Sequence, residues 1–471
     1  MGVSFSHLPG FTGFNRPTRF DAHVFDCEVE GEIPSDIHGT FYRMQCDFAY
    51  PSTEIDWGFN ADGHLSMFRF VDGHCEYRGR YILTDRLMAE RAERERLFGV
   101  YRNKFTDDPR VADVDHSAAN THMYMHAGKF LTLKEDSLPV VVDPHTLDFV
   151  EGTYDFGGQY TATSMSAHPK IDPLTGNMIA YGYQARGDLS DDIAFYEFNP
   201  QGEKIWEVWF KGPYLGIMHD CAVTQDHIII PVIAMVTSEE WLRAGNRMWN
   251  WDPSYPTMVG ILPRGGEASD VRWFEGPARS TLHFLNAVSE NNKVIMDLPT
   301  SNGTGDPSQF RRWTFDLNSQ DDRFEEEVIF AESNGLLSRM DDRYVSLPYR
   351  YAWSTNTDRE RPWNEERAGR PQGGSNIVQR LDVPRGRMDT WFVGETHSLQ
   401  EPTFIPRKGS TTEGDGYFMV VATNYAEMRS ELKIVDAQRM EDVATVPLPF
   451  RLRSGTHGQW LSAEDLPFSY V

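Results

Sequence analysis

Short apolar segments separated by turn residues recur along almost the whole chain, and this pattern constrains the fold more than any other feature of the sequence. Typical examples are HIIIPVIAMV, NNKVIMDLP, GYFMVVATNY and SELKIVDAQ, each bounded by Gly, Asn, Asp or Pro. Segments of this length, rich in branched residues, predict β-strands. Hairpin connections are predicted at DPHTLDFVEG, DPLTGNMIAYG and DAQRMED. The chain is therefore predicted to be all-β.

The even distribution of hairpins, without long helices, indicates a β-propeller or a large barrel. The sequence shows no crisp repeat of fixed period, so it does not give a blade count by itself. Its length does not divide it either, because closed β architectures often form one long unit. We therefore expect residues 1–471 to form a single domain.

Two segments have helical patterns. LTDRLMAERAERERLFGVYR alternates charges with apolar residues at helical spacing, and TSEEWLRAGNRMW begins with Thr-Ser-Glu-Glu, as a capped helix does. We expect both to be insertions, at approximately 85–105 and 235–255, that lie over one face of the sheet assembly. We call them the cap segments. Binding residues tend to lie on such loops and short helices over a rigid scaffold.

Charge and composition argue against several classes of function. The chain has 70 acidic and 45 basic residues, a formal net charge of −25, which repels nucleic acids and anionic membranes. The first residues, MGVSFSHLPGFTGFNRP, contain neither an export signal nor a run of apolar residues that could span a membrane. The few, irregularly spaced cysteines fit reduced thiols. We expect a cytoplasmic protein that acts on small molecules or other proteins.

Histidines are the candidate metal ligands. The chain has 15 of them, and a lone histidine on a strand is more often structural than a ligand. Four lie next to small or turn residues at the ends of apolar strands, in SAHPKIDP, IMHDCAVT, TLHFLNA and SGTHGQW. These four are His168, His219, His283 and His457. Their wide separation is expected of ligands that converge on one axis from separate strands.

A second pair of histidines has the spacing of helical zinc ligands. His122 and His126 in NTHMYMHAGK are four residues apart, but the glutamate of a zinc-binding H-E-x-x-H motif is absent. The alternation around them predicts a strand. We interpret them as a structural pair.

Several motifs together resemble the carotenoid cleavage oxygenases, most closely the branch of lignostilbene dioxygenases and isoeugenol monooxygenases. The motifs are SAHPKIDP, GPYLGIMHDCAVTQD, LHFLNAV, LQEPTFIPR with EGDGYFMVV, and LPFRLRSGTHGQW. The resemblance extends from VEGEIPSDIHGTFYR to the C-terminal His-Gly motif, in the family order. It implies a seven-bladed β-propeller with a cap over the substrate tunnel and Fe(II) on its axis. The implied ligands are His168, His219, His283 and His457.

The resemblance also implies three glutamates that hydrogen-bond the imidazoles, and such carboxylates orient the rings and raise their basicity. Glu135 in LKEDSLP and Glu401 in LQEPTFIPR match two of them. Leu336 occupies the third position, so we expect His283 to lack its carboxylate and iron to be held less tightly. Glu332 is the alternative carboxylate if this loop is rebuilt.

A pocket for a para-hydroxyphenyl ring is implied by the segments WGFNADGHLSMFRF, LFGVYRNKFTDDP and LTLKEDSLP. Tyr101 and Lys134 are expected to hydrogen-bond the 4-hydroxyl group, and the lysine would favour the phenolate. Phe59 is expected to pack against the ring. The alternative interpretation is that Tyr101 and Phe59 are core aromatics and that Lys134 pairs with a surface acid.

The leading hypothesis is cleavage of the C=C bond of 4-hydroxystilbenes with O₂ to give aromatic aldehydes, without an organic cofactor. The second is cleavage of isoeugenol or 4-vinylguaiacol to vanillin, since these substrates carry the same ring. Long carotenoids are disfavoured because Tyr101 and Lys134 would place polar groups in a tunnel for a polyene. A non-catalytic propeller that binds a partner is the hypothesis from another class. A homodimer is the assembly we consider.

Overall fold

The computed structural model describes residues 3–52, 58–333, 335 and 337–467. Within these residues the strands form seven sheets of four to six strands each. Each sheet is one blade, which confirms the seven-bladed β-propeller. The strand Gly455–Ser462 near the C-terminus pairs antiparallel with Gly39–Asp47 near the N-terminus. Both ends of the chain therefore contribute to blade 1 and close the ring.

The strands of each blade are adjacent in the chain, apart from those that close the ring. Blade 1 contains Ala22–Val24, His74–Tyr81, Asp62–Val71, Gly39–Asp47 and Gly455–Ser462. Blade 2 contains His122–His126, Lys129–Leu133, Val140–Val142 and Phe149–Glu151. Blade 3 contains Lys170–Ile171, Met178–Tyr183, Asp192–Phe198 and Lys204–Lys211. Blade 4 contains Gly216–Ile217, Ala222–Val223, His227–Val236, Asn250–Trp251, Thr257–Pro263 and Arg272–Gly276.

The remaining three blades follow the same plan. Blade 5 contains Asn286–Glu290, Lys293–Thr300, Gln309–Asp316 and Glu325–Phe330. Blade 6 contains Ser338–Met340, Tyr351–Asn356, Ile377–Asp382 and Arg387–Phe392. Blade 7 contains His397–Pro406, Gly416–Asn424, Arg429–Asp436, Glu441–Pro447 and the short N-terminal strand Glu30–Gly31.

The core lies between neighbouring blades. Seven clusters of buried apolar side chains fill the seven junctions of the ring. The strand Gly416–Asn424 shows how one sequence serves two junctions, because successive side chains point to opposite faces of a sheet. Phe418 and Val420 pack toward blade 6, whereas Met419 and Val421 pack toward blade 1. This is why its sequence is apolar at almost every position rather than at alternate ones.

Aspartate side chains shape the predicted hairpins. The carboxylates of Asp143, Asp172 and Asp436 each accept a hydrogen bond from a backbone N–H two residues further on. In each turn the carbonyl of the same aspartate accepts the N–H of the residue four positions later, which has a positive φ. Local aspartate bonds of this kind favour turns over continued strands. All three predicted hairpin connections are confirmed.

The described residues contain three α-helices, Asp85–Glu93, Glu239–Arg243 and Glu365–Ala368. The first two lie in the cap segments, and the side chains of Thr84 and Ser238 accept the N-terminal N–H groups of these helices. Short 3₁₀-helices are Pro9–Phe11, Gly13–Asn15, Gly58–Asn60, Lys104–Thr106, Pro109–Val111, Ala268–Asp270, Asp342–Tyr344 and Val383–Arg385. Among the residues described, we find no helix long and apolar enough to cross a bilayer.

Candidate metal centre and adjoining pocket

Four histidines from four different blades meet on the propeller axis. One ring nitrogen of each of His168, His219, His283 and His457 lies within 4.8 Å of the others. The Nε2 atoms of His168 and His219 are 3.0 Å apart. This separation is short enough for both nitrogens to bind one metal ion, since metal–imidazole bonds are about 2.0–2.1 Å long. The arrangement brings together all four predicted ligands, and this set of imidazole donors fits a transition-metal ion.

Asp220 links the loops that carry these histidines. It follows His219 in the chain, and its Oδ2 accepts the backbone N–H of Phe284, the residue after His283, at 3.0 Å. Its Oδ1 lies 2.7 Å from Nζ of Lys170, two residues after His168. One buried carboxylate therefore fixes the relative positions of three histidine loops.

The environment of His168 keeps this ring in the form that binds metal. Burial lowers the pKa of His168 well below its usual range, and the neighbouring imidazoles of His219, His457 and His283 lower it further. His168 is therefore neutral at physiological pH, with a ring lone pair available as a ligand.

Two glutamates orient two of the rings. Nδ1 of His219 donates to Oε2 of Glu135 at 2.6 Å, and Nδ1 of His457 donates to Oε1 of Glu401 at 2.8 Å. A proton held on Nδ1 leaves the Nε2 lone pair for a metal. Burial disfavours the charge of Glu135, but His219 and Arg102 hold the pKa of this carboxyl below its usual range. The structure thus places both glutamates as expected from the resemblance.

The third glutamate position that the resemblance implies differs from the positions of Glu135 and Glu401. Leu336, which occupies it, lies outside the described residues. Glu332, the alternative, is exposed, and its carbonyl oxygen accepts the side-chain amide of Asn356 at 2.7 Å. Glu332 is therefore wrong as a replacement, because a solvent-exposed side chain does not support a ring on the axis.

His122 and His126 lie at the two ends of a strand, as predicted, so the spacing of helical zinc ligands does not apply. The ring of His122 packs edge-on against that of His457, with 4.8 Å between centroids. No nitrogen of His122 belongs to the converging group found in the described residues. It is a fifth histidine, itself buried, that contacts the centre from one side.

The three predicted substrate residues lie close to one another, and one of them contacts a glutamate of the metal centre. Nζ of Lys134 donates to the carbonyl oxygen of Phe59 at 3.2 Å and lies 4.6 Å from the ring centroid of Tyr101. The Tyr101 hydroxyl donates to Oε1 of Glu135 at 3.2 Å, and burial raises its pKa well above the usual range, so it stays protonated. Phe59 is 42% exposed, so it is not a core aromatic. Tyr101 is thus joined directly to a carboxylate that orients His219.

Two arginines that contact the glutamates were not identified from the sequence. Nη1 of Arg102 lies 3.0 Å from Oε1 of Glu135, and Nη1 of Arg339 lies 3.3 Å from Oε2 of Glu401. Arg339 lies in the segment that contains Leu336, and Arg102 follows Tyr101 directly. The sequence does not indicate either ion pair, because Arg102 and Glu135 are 33 residues apart and Arg339 and Glu401 are 62 residues apart.

A cavity of about 630 Å³ adjoins the metal centre, and Phe59, Tyr101 and Lys134 are not among its lining residues. It begins at His168, His283 and His457 and extends along the strand His122–His126. The strand His122–His126 pairs antiparallel with Lys129–Leu133, and His122 lies opposite Leu133. Lys134 is therefore near the end of this strand that contacts His457, whereas His126 is at the other end. The cavity and the predicted substrate residues therefore approach the histidines from different sides.

Replacing Glu401 with glutamine is expected to weaken metal binding roughly 10–100-fold, because His457 would lose the carboxylate that orients it. A chelator-competition titration with Co(II) measures the affinity. Glu431→Gln is the matched control: Glu431 is also buried and lies 3.2 Å from a histidine, His397, on the strand that carries Glu401. Equal weakening in both variants would contradict the assignment and indicate a general loss of stability.

The chain is similar to known proteins over nearly its whole length. The sequence profile of the family described as retinal pigment epithelial membrane protein matches residues 14–462. Isoeugenol monooxygenase of Pseudomonas putida is 39% identical, with coverage of 96% of this chain and 98% of that protein. Lignostilbene-alpha,beta-dioxygenase isozyme III of Sphingomonas paucimobilis is 37% identical, with coverage of 98% and 100%.

Solved structures show the same fold. The crystal structure of Pseudomonas brassicacearum lignostilbene dioxygenase superposes with a TM-score of 0.94 at 37% identity, covering 98% of this chain and all of that one. A cobalt-substituted apocarotenoid oxygenase from Synechocystis has a TM-score of 0.82 at 23% identity, covering 95% and 97%. The second match supports the architecture alone.

Proposed function

This chain belongs to the carotenoid cleavage oxygenase family, and on this premise we propose that it cleaves the C=C bond of 4-hydroxystilbenes with O₂, giving two aromatic aldehydes. The observation that carries the proposal is the convergence of four histidine nitrogens on the axis, with a buried lysine, Lys134, directly before the glutamate that orients His219. The overall reaction is balanced, since one alkene and one O₂ contain the atoms of the two aldehydes. It requires no NAD(P)H or flavin.

We propose Fe(II) as the metal, held by His168, His219, His283 and His457. Neutral imidazoles suit this ion, and the two buried glutamates partly offset its charge. When bound, iron supplies the activation of O₂. The protein positions the ligands and orients the alkene.

Lys134 and Tyr101 are proposed to hold the substrate's 4-hydroxyl group. Among the described residues, the Lys134 ammonium makes one hydrogen bond, to the Phe59 carbonyl, and an ammonium has three N–H donors. It therefore retains donors for a phenolate oxygen. Burial lowers the pKa of Lys134, but the adjacent carboxylates of Asp136 and Glu135 favour its charged form. A substrate anchored there has its double bond fixed in position relative to the metal.

Tyr101 has a more restricted role than the resemblance alone implied. Its hydroxyl donates to Glu135, so donation of the same proton to a substrate phenolate would require the O–H bond to turn away from this carboxylate. Phe59, with its partly exposed ring, is proposed to pack against the substrate's aromatic ring.

Cleavage of isoeugenol to vanillin is the second candidate. It is favoured by the 39% identity to isoeugenol monooxygenase of Pseudomonas putida across nearly the full length of both chains. The proposed phenol contacts serve both substrates, because both carry a 4-hydroxyphenyl ring. The cytoplasmic location and the homodimer stay predictions from the sequence.

Incubating the Fe(II)-loaded protein in air with a 4-hydroxystilbene and, separately, with isoeugenol tests the proposal. We expect two aromatic aldehydes from the stilbene, identified by mass spectrometry, at a higher kcat/KM than that for vanillin formation from isoeugenol. The 4-methoxy analogue of the stilbene is the control and is expected to be a poor substrate. A preference for isoeugenol would select the second candidate, and no aldehyde from either substrate would refute both.

A further inference from the structure

Arg102 is a buried cation between the cap and the metal centre. Its side chain is 3% exposed, and Nη1 donates to Oε1 of Glu135 at 3.0 Å and to the Tyr183 hydroxyl at 2.8 Å. Its Nε lies 3.5 Å from Oδ2 of Asp136. The guanidinium group therefore contacts the carboxylate that orients His219, and a second carboxylate balances its charge.

The same guanidinium group is held by aromatic rings from two parts of the fold. It lies 5.5 Å from the ring centroid of Tyr183, at the end of a blade 3 strand, and 5.6 Å from that of Trp249, in the second cap segment. The backbone of Arg102 has a φ of +52°, a left-handed conformation that a non-glycine residue adopts only when its surroundings impose it. Together with the carboxylate contacts, these rings hold the Arg102 side chain in one position.

The residues on either side of Arg102 join the two cap segments to each other. The Asn103 side-chain amide donates to the carbonyl oxygens of Leu242 and Asn246 at 2.7 and 2.6 Å. The carbonyl oxygen of Tyr101 accepts the N–H of Met248 at 3.1 Å. Movement of either cap segment is therefore transmitted to the 101–103 backbone and to the arginine it carries.

We propose that Arg102 is a positioning residue that couples the packing of the cap segments to the geometry of the metal centre. It holds Oε1 of Glu135 so that Oε2 points at Nδ1 of His219. A cap displaced from its seat would withdraw Arg102, and Glu135 would lose a charged hydrogen bond that restricts its rotation. The inference rests on the metal centre of the proposed function and is independent of the substrate.

Co(II) binding tests the coupling without reference to turnover. We expect Arg102→Met to weaken Co(II) binding roughly 10–100-fold and to alter the Co(II) absorption spectrum, because His219 would lose its fixed orientation. Arg102→Lys keeps a charge near Glu135 but cannot bind Glu135 and Tyr183 in the same planar geometry, so its affinity should be intermediate. Wild-type affinity and spectrum in a folded Arg102→Met variant would overturn the proposal.

The matched control is Arg264→Met. Arg264 is also largely buried between two carboxylates, Asp172 and Glu197, each at 2.7 Å, and neither bonds a metal-centre histidine within the described part of the chain. This variant should lower the melting temperature but keep Co(II) affinity within about twofold, since sites that share no bonding partner act nearly independently. If Arg102→Met does not fold, Arg102→Lys decides the matter: intermediate affinity supports the proposal, and wild-type affinity overturns it.

Coupling between two sites is reciprocal, so metal binding should also protect the cap. We expect Co(II) to slow limited proteolysis within 235–255 in the wild type, to a smaller extent in Arg102→Lys, and not in Arg102→Met. Equal protection in the wild type and both variants would overturn the coupling. If the wild type itself bound no Co(II), the proposed metal centre would fail, an outcome distinct from failure of the coupling alone.

Discussion

Replacing His168 with alanine is expected to remove the bound metal and to lower alkene cleavage by more than about 1000-fold, since loss of an outer carboxylate alone costs roughly 10–100-fold. His168 is suited to this test because it is a neutral ring whose Nε2 lies 3.0 Å from that of His219. Its removal takes away a donor and leaves no carboxylate without its partner. Metal analysis of the purified variant after Fe(II) loading measures the first effect, and aldehyde formation measures the second.

His122→Ala is the control for this experiment. His122 is also buried and also packs against His457, but no nitrogen of it joins the converging group among the residues described. We expect this variant to retain its metal. If His122→Ala lost metal as completely as His168→Ala, the ligand assignment would be incorrect and the whole cluster would have to be reconsidered.

Replacing Lys134 with methionine is expected to lower kcat/KM for a 4-hydroxystilbene by roughly 100-fold or more while leaving metal content unchanged. An ammonium that stabilises a phenolate in a buried site acts as an electrostatic donor, and removal of one such donor typically has an effect of this size. Methionine preserves most of the side-chain volume. Steady-state kinetics and metal analysis on the same preparation separate the two effects.

Two controls make the Lys134 result specific. Lys129→Met alters a partly exposed lysine, paired with Glu151, at the start of the strand that ends just before Lys134, and it should leave kinetics unchanged. The 4-methoxy substrate lacks the proton that forms the phenolate, so the wild type and Lys134→Met should process it at similar low rates. A parallel loss of metal in Lys134→Met would show that the lysine is structural.

The strand content of this protein was predictable because it depends on local chemistry. Apolar segments of strand length and the aspartate turns act over a few residues, and the structure has strands and hairpins where these patterns occur. The blade count was not predictable from periodicity. It depends on closure of the ring through pairing of Gly39–Asp47 with Gly455–Ser462, two strands that lie about four hundred residues apart in the chain.

The functional site also combines features that local sequence predicts with contacts that only long-range packing creates. The family motifs identified the four histidines, Glu135 and Glu401, because each motif is a short run of consecutive residues. The bond from Tyr101 to Glu135 and the contacts of Arg102 with Glu135, Tyr183 and Trp249 are not local. They join residues from the cap and from two blades.

The sequence by itself determined that the chain is all-β and which residue types are available for metal and phenol chemistry. Only the tertiary structure decided which of those side chains meet, that Glu332 stays exposed away from the axis, and that Glu135 is shared by His219, Tyr101 and Arg102. The physical reason is the distance along the chain over which each kind of interaction acts. Strand and turn propensities act between neighbours in the chain, whereas ligand geometry and buried ion pairs depend on distances that exist only after all seven blades have packed into one ring.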